Sequence, residues 1–521
     1  MRHTTAHRFT GALLVLAMLV SLLPAAVAAS DSNIGVELPD GKYLIAQTDY
    51  AIASGVTETQ LILNDQSGNA QVKGYMTTVA PDAQVEFKAS YSGYYTKGST
   101  PESRAEAAQG LPFDMKATTK QAADFEAATG RSVLVATNAD YYNMQSGQAC
   151  GYLIMEGNVV QTEGTVQSGN VAHEPYFARL TDGSYVIRDY GTDHSDVVEA
   201  ISGPFYLVKN GKVTGGLDGA TKAPRNSVGM KEDGTVVLFL ADGRQGVSSG
   251  MTVVEIAQFM QAQGCVTALY LDGGGSATLA SKHEGSDTLT IQNTPSDGTE
   301  RVVASTLLLV STAEGSGKFD HASLTPNNLV YIAGATVPFQ AAGVDTAGHP
   351  TEVPQGVTWS LEDGSFGSMD AATGVFKSNG KCGTVTAKLN YEGKVVGTTS
   401  IEVQEPENIH FAAESLNLAF KTTSDLGLKV VYKERDVDLS GVTLDWTIEP
   451  ITPGLKPQDI GSFEGNLFTS VKAKQTLNAN ITVSYIKQDS TVLTDTLAVE
   501  IGRMPQVIWD FEPDGNGELL Q

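Results

Sequence analysis

The chain has 521 residues, with 34 basic and 59 acidic side chains and a formal net charge of −25. This length exceeds one ordinary hydrophobic core and predicts about three domains. The acidic balance argues against nucleic acid as a partner, because a phosphate backbone attracts basic surfaces. An anionic ligand would need a local positive site.

The first residues have the pattern of an export signal. Arg2 and Arg8 precede an apolar run from Gly11 to Leu23, and Ala26-Val27-Ala28 offers the small residues that signal peptidase requires. We therefore interpret residues 1–28 as a signal peptide. The alternative, a membrane anchor, is disfavoured because the run is short for a bilayer. With no other run of spanning length, we expect a secreted or cell-surface-associated protein without a membrane span.

Residues 29–315 are predicted to form an α+β domain, a mixed sheet with covering helices. Alternating runs from Gly41 to Phe87 predict antiparallel strands, and the alanine spacing from Pro101 to Gly130 predicts helices. A strand at 132–137 then ends in a polar motif, residues 138–143. In this motif Asn138 and Asp140 could hydrogen-bond sugar hydroxyls, and Tyr141 and Tyr142 could present ring faces. The alternative is that both tyrosines are half-buried strand-end residues.

Three more apolar runs are closed by polar corners. The corners are PRNSVG (224–229), ADGRQ (241–245) and DGGGS (272–276). Before the last of them, Thr252-Val253-Val254-Glu255 has the form of a capping box and predicts a helix that leads into the next strand. That strand, which ends at Leu271, is continuously apolar, so we expect both of its faces to be covered.

The DGGGS corner combines a carboxylate with groups that could hold an anion. Asp272 ends the strand, and Gly273, Gly274, Gly275 and Ser276 follow. Glycines can adopt φ > 0 and present backbone N–H groups to a phosphate or oxyanion. Positive charge could come from the nearby corners, through Arg225 and Arg244. Taken alone, the motif is equally compatible with a glycine-rich hairpin turn.

The spacing of the cysteines and histidines predicts neither a disulfide framework nor a zinc site. Cys150 and Cys265 could pair in an exported protein or remain buried thiols, and Cys382 is interpreted as a core residue. The histidines outside the signal segment show no close pair of ligand spacing, which argues against zinc. No cofactor is firmly indicated. Calcium or magnesium held by aspartates and backbone oxygens stays open.

The composition changes after residue 317 to the rhythm of two all-β sandwiches. Residues 320–404 and 405–503 each resemble a bacterial Ig-like domain, with a Gly-Val-Thr-x-x-Trp or similar strand ending at Trp359 or Trp446. Residues 504–521 resemble the start of a carbohydrate-binding module that the chain does not complete. Repeats of this type act as spacers or adhesion modules.

The ordered motifs over roughly residues 40–312 resemble the phosphodiester glycosidase family. They are NADYYN, SGP (202–204), PRNSVG, ADGRQ, SGMTVVEIAQFM (249–260) and LDGGGSATL (271–279). The chain departs from the family pattern at Asn226, where threonine is common, and near Ser305, where asparagine is frequent. Both departures bear on substrate identity.

The resemblance implies hydrolysis of the C1–O bond of sugar-1-phosphodiesters in phosphoglycans or exopolysaccharide. We expect Asp272, Asp242 and Asp140 to supply the carboxylates, and Arg225, Arg244 and the glycine amides to meet the phosphate. The expected partner is a phosphoglycan or cell-surface polysaccharide.

Two other functions stay open, a non-catalytic glycan-binding surface protein and a phosphodiesterase that cuts P–O. A serine hydrolase is disfavoured because Ser276 lacks the GxSxG turn.

Overall fold

The computed structural model describes residues 42–65, 71–108, 110, 113–162 and 173–502. The predicted signal peptide and the C-terminal segment 504–521 lie outside these residues. The strands of the first domain are β1 Lys42–Ala53, β2 Val56–Asp65, β3 Val72–Val79, β4 Val85–Tyr91, β5 Lys116–Ala117, β6 Val133–Asn138, β7 Leu153–Met155, β8 Asn158–Gln161, β9 Tyr176–Leu180, β10 Tyr185–Arg188, β11 Val197–Ser202, β12 Tyr206–Lys209, β13 Lys212–Val213, β14 Arg225–Lys231, β15 Val236–Ala241, β16 Cys265–Leu271, β17 Leu279–Ser281, β18 Thr290–Ile291, β19 Val302–Val303 and β20 Ser305–Ser311.

Three helices accompany these strands in the described part of the first domain: α1 Pro101–Ala108, α2 Thr118–Thr129 and α3 Val253–Ala262. The predicted capping box is confirmed at α3. The Thr252 hydroxyl accepts from the Glu255 N–H at 3.1 Å, and the Thr252 N–H donates to the Glu255 carboxylate at 2.7 Å. These bonds satisfy backbone donors that a helix start leaves unpaired.

Three larger sheets and the two-stranded sheet β19-β5 organise the described part of this domain. The largest has the order β1-β2-β3-β15-β14-β16-β12-β13, and the other two larger sheets are β10-β9-β11-β7-β8 and β18-β17-β6-β20-β4. Strand β16 is covered on both faces, as expected: Leu269 and Leu271 face a core shared with β6 and β20, whereas Ala268 and Tyr270 pack with α3.

The predicted mixed sheet is wrong in its strand directions. All of the strand pairs described in these three sheets are antiparallel. The physical reason lies in the β15–α3–β16 crossover, which does bring two parallel strands into one sheet but leaves a gap of one strand between them. Strand β14 fills that gap and runs antiparallel to both.

The remaining described residues are almost entirely β. Their strands are β21 His321–Thr325, β22 Val330–Ile332, β23 Thr336–Pro338, β24 Gln340–Val344, β25 Pro350–Thr351, β26 Thr358–Leu361, β27 Gly367–Met369, β28 Val375–Ser378, β29 Gly383–Tyr391, β30 Lys394–Gln404, β31 Asn408–Phe411, β32 Ser415–Ala419, β33 Thr423–Ser424, β34 Leu428–Tyr432, β35 Arg435–Asp438, β36 Asp445–Pro450, β37 Gly461–Glu464, β38 Leu467–Ser470, β39 Leu477–Ile486 and β40 Val492–Gly502. Short 3-10 turns lie at Gly274–Ser276, Gly364–Phe366 and Pro457–Asp459.

The second half of this region repeats the pairing of the first. Strands β26-β29-β30 correspond to β36-β39-β40, β23-β28-β27 to β33-β38-β37, and the parallel pair β22–β30 to β32–β40. The predicted internal repeat is thus present. Its two copies share one sheet through the parallel pair β22–β35 and one hydrophobic cluster.

The cysteines are free thiols, with Cys150 and Cys265 buried. Cys382 is exposed, so its assignment to a core was wrong. It follows Gly380 in the turn before β29, where the side chain has no apolar layer to enter.

Candidate active site

Four strand ends meet at one edge of the first domain. In the large sheet Arg225 pairs with Ala241, and Asn226 pairs with Leu271. The end of β6 joins them, because the Asp272 N–H donates to the Ala139 carbonyl at 2.9 Å. The corners that the sequence singled out are therefore neighbours in the fold.

Asn138 fixes this junction with its side-chain amide. Its Nδ2 donates to the Asp272 carbonyl at 2.6 Å, and its Oδ1 accepts from the Thr278 N–H at 3.0 Å. Asn226 adds a further bond, from Nδ2 to the Asn138 carbonyl at 2.8 Å. Since Asn138 is 1% exposed and its amide is committed to the protein, this geometry suits positioning of Asp272 rather than direct contact with a sugar.

Asp272 is half-buried at the end of β16. Burial raises the pKa of its carboxyl to about 6, while hydrogen bonds from Ser276 and the Gly273 N–H and the positive charge of Arg301 limit the rise. The side chain is therefore mainly ionised at neutral pH.

Asp140 lies deeper, with 2% exposure. Its carboxylate accepts from the Ser202 N–H at 2.6 Å and from the Ser305 hydroxyl. Burial raises the pKa of Asp140 to about 7, these donors oppose the rise, and the charge of Asp272 adds to it. Asp140 and Asp272 thus interact electrostatically.

The two tyrosines of the NADYYN motif have different surroundings. Tyr141 is 36% exposed, and its ring centroid lies 6.1 Å from that of Tyr270. Tyr142 is 8% exposed and donates from its hydroxyl to the Val302 carbonyl at 3.1 Å. Only Tyr141 therefore offers an accessible ring, and Tyr142 fits the strand-end alternative.

Arg225 and Arg244 also differ. The buried Arg225 guanidinium donates to the Met251 carbonyl at 2.9 Å, the Tyr270 hydroxyl at 2.8 Å and the Thr221 carbonyl at 2.5 Å. Arg244 is exposed, and within the described ranges no hydrogen bond or ion pair engages it. Its guanidinium lies against Gly274, 3.3 Å from where a Cβ would stand. Arg244 is therefore available to an anion.

The glycine corner differs from the expectation in its backbone geometry. Only Gly274 of the three glycines has positive φ, at 60°. The Gly274 N–H donates to the Pro224 carbonyl at 2.9 Å, and the Gly273 N–H bonds the Asp272 carboxylate. These two amides are bonded to the neighbouring segment and to the Asp272 side chain, so the expectation that they are available to an anion is wrong.

Arg301 brings a second positive charge to the glycine turn, where two of the amides are already hydrogen-bonded. Arg301 packs over Gly275 so closely that a Cβ there would overlap its guanidinium. It pairs with Asp297 at 2.7 Å and reaches the Ser276 hydroxyl at 3.5 Å. Sequence reasoning missed this site residue. Its only sequence signal was an arginine at the start of an apolar strand, which is common.

Asp242 is fully buried beside this corner, and donors surround its carboxylate. The Asn293 amide donates at 3.0 Å, the Thr294 N–H at 3.0 Å and the Tyr75 hydroxyl at 3.3 Å. Burial raises the pKa of Asp242, and these bonds oppose the rise. The carboxylate therefore anchors the 293–294 loop to β15.

Glu174 is a buried acid near Asp140 that sequence reasoning did not single out. It lies just before β9, is 5% exposed, and its Oε2 has no hydrogen-bond partner among the described residues. Burial raises the pKa of Glu174 to about 8, and the charge of Asp140 contributes. No motif marked it, because a single glutamate between His173 and Pro175 has no distinguishing pattern.

The described residues contain no group of three or more His, Cys, Asp and Glu side chains arranged to hold a metal ion. In the same residues no helix is long and apolar enough to cross a bilayer.

Residues 131–310 match the family model described as phosphodiester glycosidase, and the chain therefore carries a domain of that family. Its similar proteins include N-acetylglucosamine-1-phosphodiester alpha-N-acetylglucosaminidase of Homo sapiens, 30% identical over 176 residues, and of Mus musculus, 28% identical over 167 residues. The matches cover 30% and 28% of this chain and 33% and 31% of the relatives, so the chain spans about a third of their length. The uncharacterized protein YomE of Bacillus subtilis is 37% identical over 109 residues, 20% of this chain and 16% of that protein.

Among solved structures, the zebrafish N-acetylglucosamine-1-phosphodiester alpha-N-acetylglucosaminidase catalytic domain aligns with a TM-score of 0.38 and 20% identity. The alignment covers 54% of this chain and 99% of that domain.

Proposed function

We propose that the first domain hydrolyses the C1–O bond of sugar-1-phosphodiesters. The family match and the names of the relatives support this class of substrate. One observation carries the proposal: Asp272, an ionised carboxylate at the end of β16, lies beside Ser276 and the charge of Arg301 and interacts electrostatically with the buried acid Asp140.

On the phosphate side, Arg244 and Arg301 flank the glycine turn. The departing phosphomonoester is a weak base, with a second pKa of about 6, so its departure needs positive charge more than a strong acid. Arg244 provides an uncommitted charge, and Arg301 a partly neutralised one. Arg225 acts behind them by orienting Tyr270.

On the sugar side, Tyr141 offers a ring face beside Asp272. Asp272 activates water or stabilises the oxocarbenium-like carbon, and Asp140 is the second carboxyl of the pair. Asp242 and Asn138 support the corner. The substrate is a phosphoglycan or exopolysaccharide outside the cell, in keeping with the signal pattern at residues 1–28.

The test is turnover of a panel of sugar-1-phosphodiesters, including N-acetylglucosamine-1-phosphodiesters, in ¹⁸O-enriched water. Attack at carbon places the label on the anomeric hydroxyl and leaves the phosphomonoester unlabelled. Label in the phosphate would identify a phosphodiesterase. Sugar binding without turnover of any diester would identify a glycan-binding protein.

A further inference from the structure

Glu174 is a buried carboxyl group whose hydrogen-bonding capacity the described residues do not satisfy. It is 5% exposed, and its Oε2 has no hydrogen-bond partner among them. Of the described residues, no Lys, Arg or His forms an ion pair with it. A buried charge without a partner is costly, so a carboxyl in this position is favoured in its neutral form.

The contacts of Glu174 place it close to Asp140 in the fold. A Cβ on Gly151 would stand 3.2 Å from the Glu174 Cβ and would overlap the Ser202 hydroxyl. The Ser202 N–H in turn donates to the Asp140 carboxylate at 2.6 Å. The strand start at β9, the turn at Gly151 and the end of β11 therefore meet at the second carboxyl of the candidate site.

Two titratable groups face Glu174, the Asp140 carboxyl and the Cys150 thiol. The charge of Asp140 opposes a negative charge on Glu174. Burial together with Glu174 and Asp140 raises the pKa of Cys150 to about 12, so the thiol is neutral and supplies no compensating charge. His173 is exposed and its ring stacks on Tyr190 at 4.4 Å. With a pKa of about 8, Glu174 is mainly protonated at pH 7.

We propose that Glu174 determines sugar specificity by donating a hydrogen bond, as an uncharged carboxylic acid, to an acceptor oxygen of the bound sugar. This inference rests on the proposed function. Glu174 and Ser202 both lie against Gly151, and the Ser202 N–H binds the Asp140 carboxylate. Arg244 and Arg301 instead lie against Gly274 and Gly275. Glu174 is therefore on the sugar side of the proposed site rather than on its phosphate side.

Glu174 keeps its proton through the reaction. The phosphomonoester that departs is a weaker base than the Glu174 carboxylate, so transfer of this proton to it is uphill. A hydrogen bond to a neutral hydroxyl or amide oxygen satisfies the orphan group without moving the proton.

The kinetic test compares Glu174→Gln, which keeps a neutral donor, with Glu174→Leu, which removes it. The wild-type kcat/KM should fall as the pH rises through about 8. Glu174→Gln should stay within about threefold of wild type at pH 7 and lose that alkaline fall, whereas Glu174→Leu should lose roughly 10- to 100-fold, mainly through KM. Glu199→Gln, a buried carboxyl bonded to Lys88 outside the site, is the control and should keep the alkaline fall. If Glu174→Gln is folded but as inactive as Glu174→Leu, the donor role is refuted.

Calorimetry separates this inference from the proposed function. N-acetylglucosamine carries no titratable group, so its binding at pH 8.5 in buffers of different ionisation enthalpy reports protons taken up by the protein. Wild type should take up protons and Glu174→Gln should take up none. Uptake without turnover of any diester would refute the proposed function and leave the inference standing. Turnover with no uptake by the wild type, or sugar that does not bind, would refute the inference.

Discussion

Replacing Asp272 with asparagine should remove activity and stabilise the fold. The substitution keeps the size of the side chain and eliminates its charge at the end of β16. If Asp272 activates water or stabilises the sugar carbon, kcat should fall by roughly 100-fold or more, the usual range for such groups. The activity that remains should no longer rise with pH near 6, where the wild-type carboxyl ionises.

The gain in stability follows from burial. The pKa of Asp272 rises from 3.8 to about 6, and each unit corresponds to about 1.4 kcal/mol. The raised pKa means that ionisation destabilises the fold, so this cost is absent below about pH 4 and complete above about pH 6. The full shift corresponds to about 3 kcal/mol. We expect a gain of about 1–2 kcal/mol, because the side chain is only half-buried and asparagine weakens the bonds from Ser276 and Gly273.

The assay is urea unfolding at pH 4 and pH 7.5, with kcat measured on the same preparations. The difference in the free energy of unfolding between Asp272→Asn and wild type should grow between these pH values. Asp82→Asn, at an exposed turn of the same domain where no hydrogen bond or ion pair among the described residues engages the side chain, is the control and should change neither activity nor the pH dependence of stability. An active variant, or one less stable than wild type at pH 7.5, would show that Asp272 is structural.

Four further changes test the rest of the site. Arg244→Ala should raise KM for diesters about tenfold without altering the melting temperature, because Arg244 has no partner among the described residues. The control is Arg188→Ala, which breaks the ion pair with Asp196 and should leave KM unchanged. Gly275→Ala should displace Arg301 and lower kcat/KM more than stability, whereas Gly203→Ala meets the Tyr270 carbonyl and should mainly lower the melting temperature. Ser305→Ala removes a donor to Asp140, so the pKa of Asp140 and any pH-rate limb that it governs should shift upwards. A chain that ends at Gly317 keeps the site but loses the bonds of His321 to Glu284 and of Asn327 to Asp49. Its turnover of a soluble diester should therefore persist, with a lower melting temperature. A folded but inactive chain would contradict this expectation.

Sequence patterns predicted strand ends more successfully than strand directions. Apolar runs closed by polar corners predicted the ends of β6, β15 and β16, but PRNSVG, interpreted as a corner, forms most of strand β14. The registers of β14, β15 and β16 bring these segments together. Strand direction was harder, because β14, the hairpin partner of β15, lies between the two strands that the β15–α3–β16 crossover joins. Periodicity carries no information on which strand fills a gap.

Roles within the site depend on hydrogen bonds that residue type does not reveal. Asn138 and Asn226 suit a sugar as well as they suit a backbone carbonyl, and only the fold shows their amides committed to the protein. The glycine amides are similar, since their availability depends on φ and on the position of the Pro224 carbonyl. Arg301 and Glu174 can be recognised as candidate site residues only from their neighbours in the fold.

The pKa values of three carboxyls at the candidate site are raised by one physical cause. Burial raises the pKa of each, and the opposing interactions decide by how much. Asp272 has bonds from Ser276 and Gly273 and the charge of Arg301, and its pKa is about 6. Asp140 accepts hydrogen bonds from Ser305 and Ser202, which lower its pKa, but the negative charge of Asp272 raises it, and the resulting pKa is about 7. Glu174 has no donor to oppose its burial, and its pKa is about 8. A single edge of the fold can thus hold an ionised carboxylate, a carboxyl near its midpoint and a neutral acid at the same pH, because hydrogen-bond donors are distributed unequally among the buried acids.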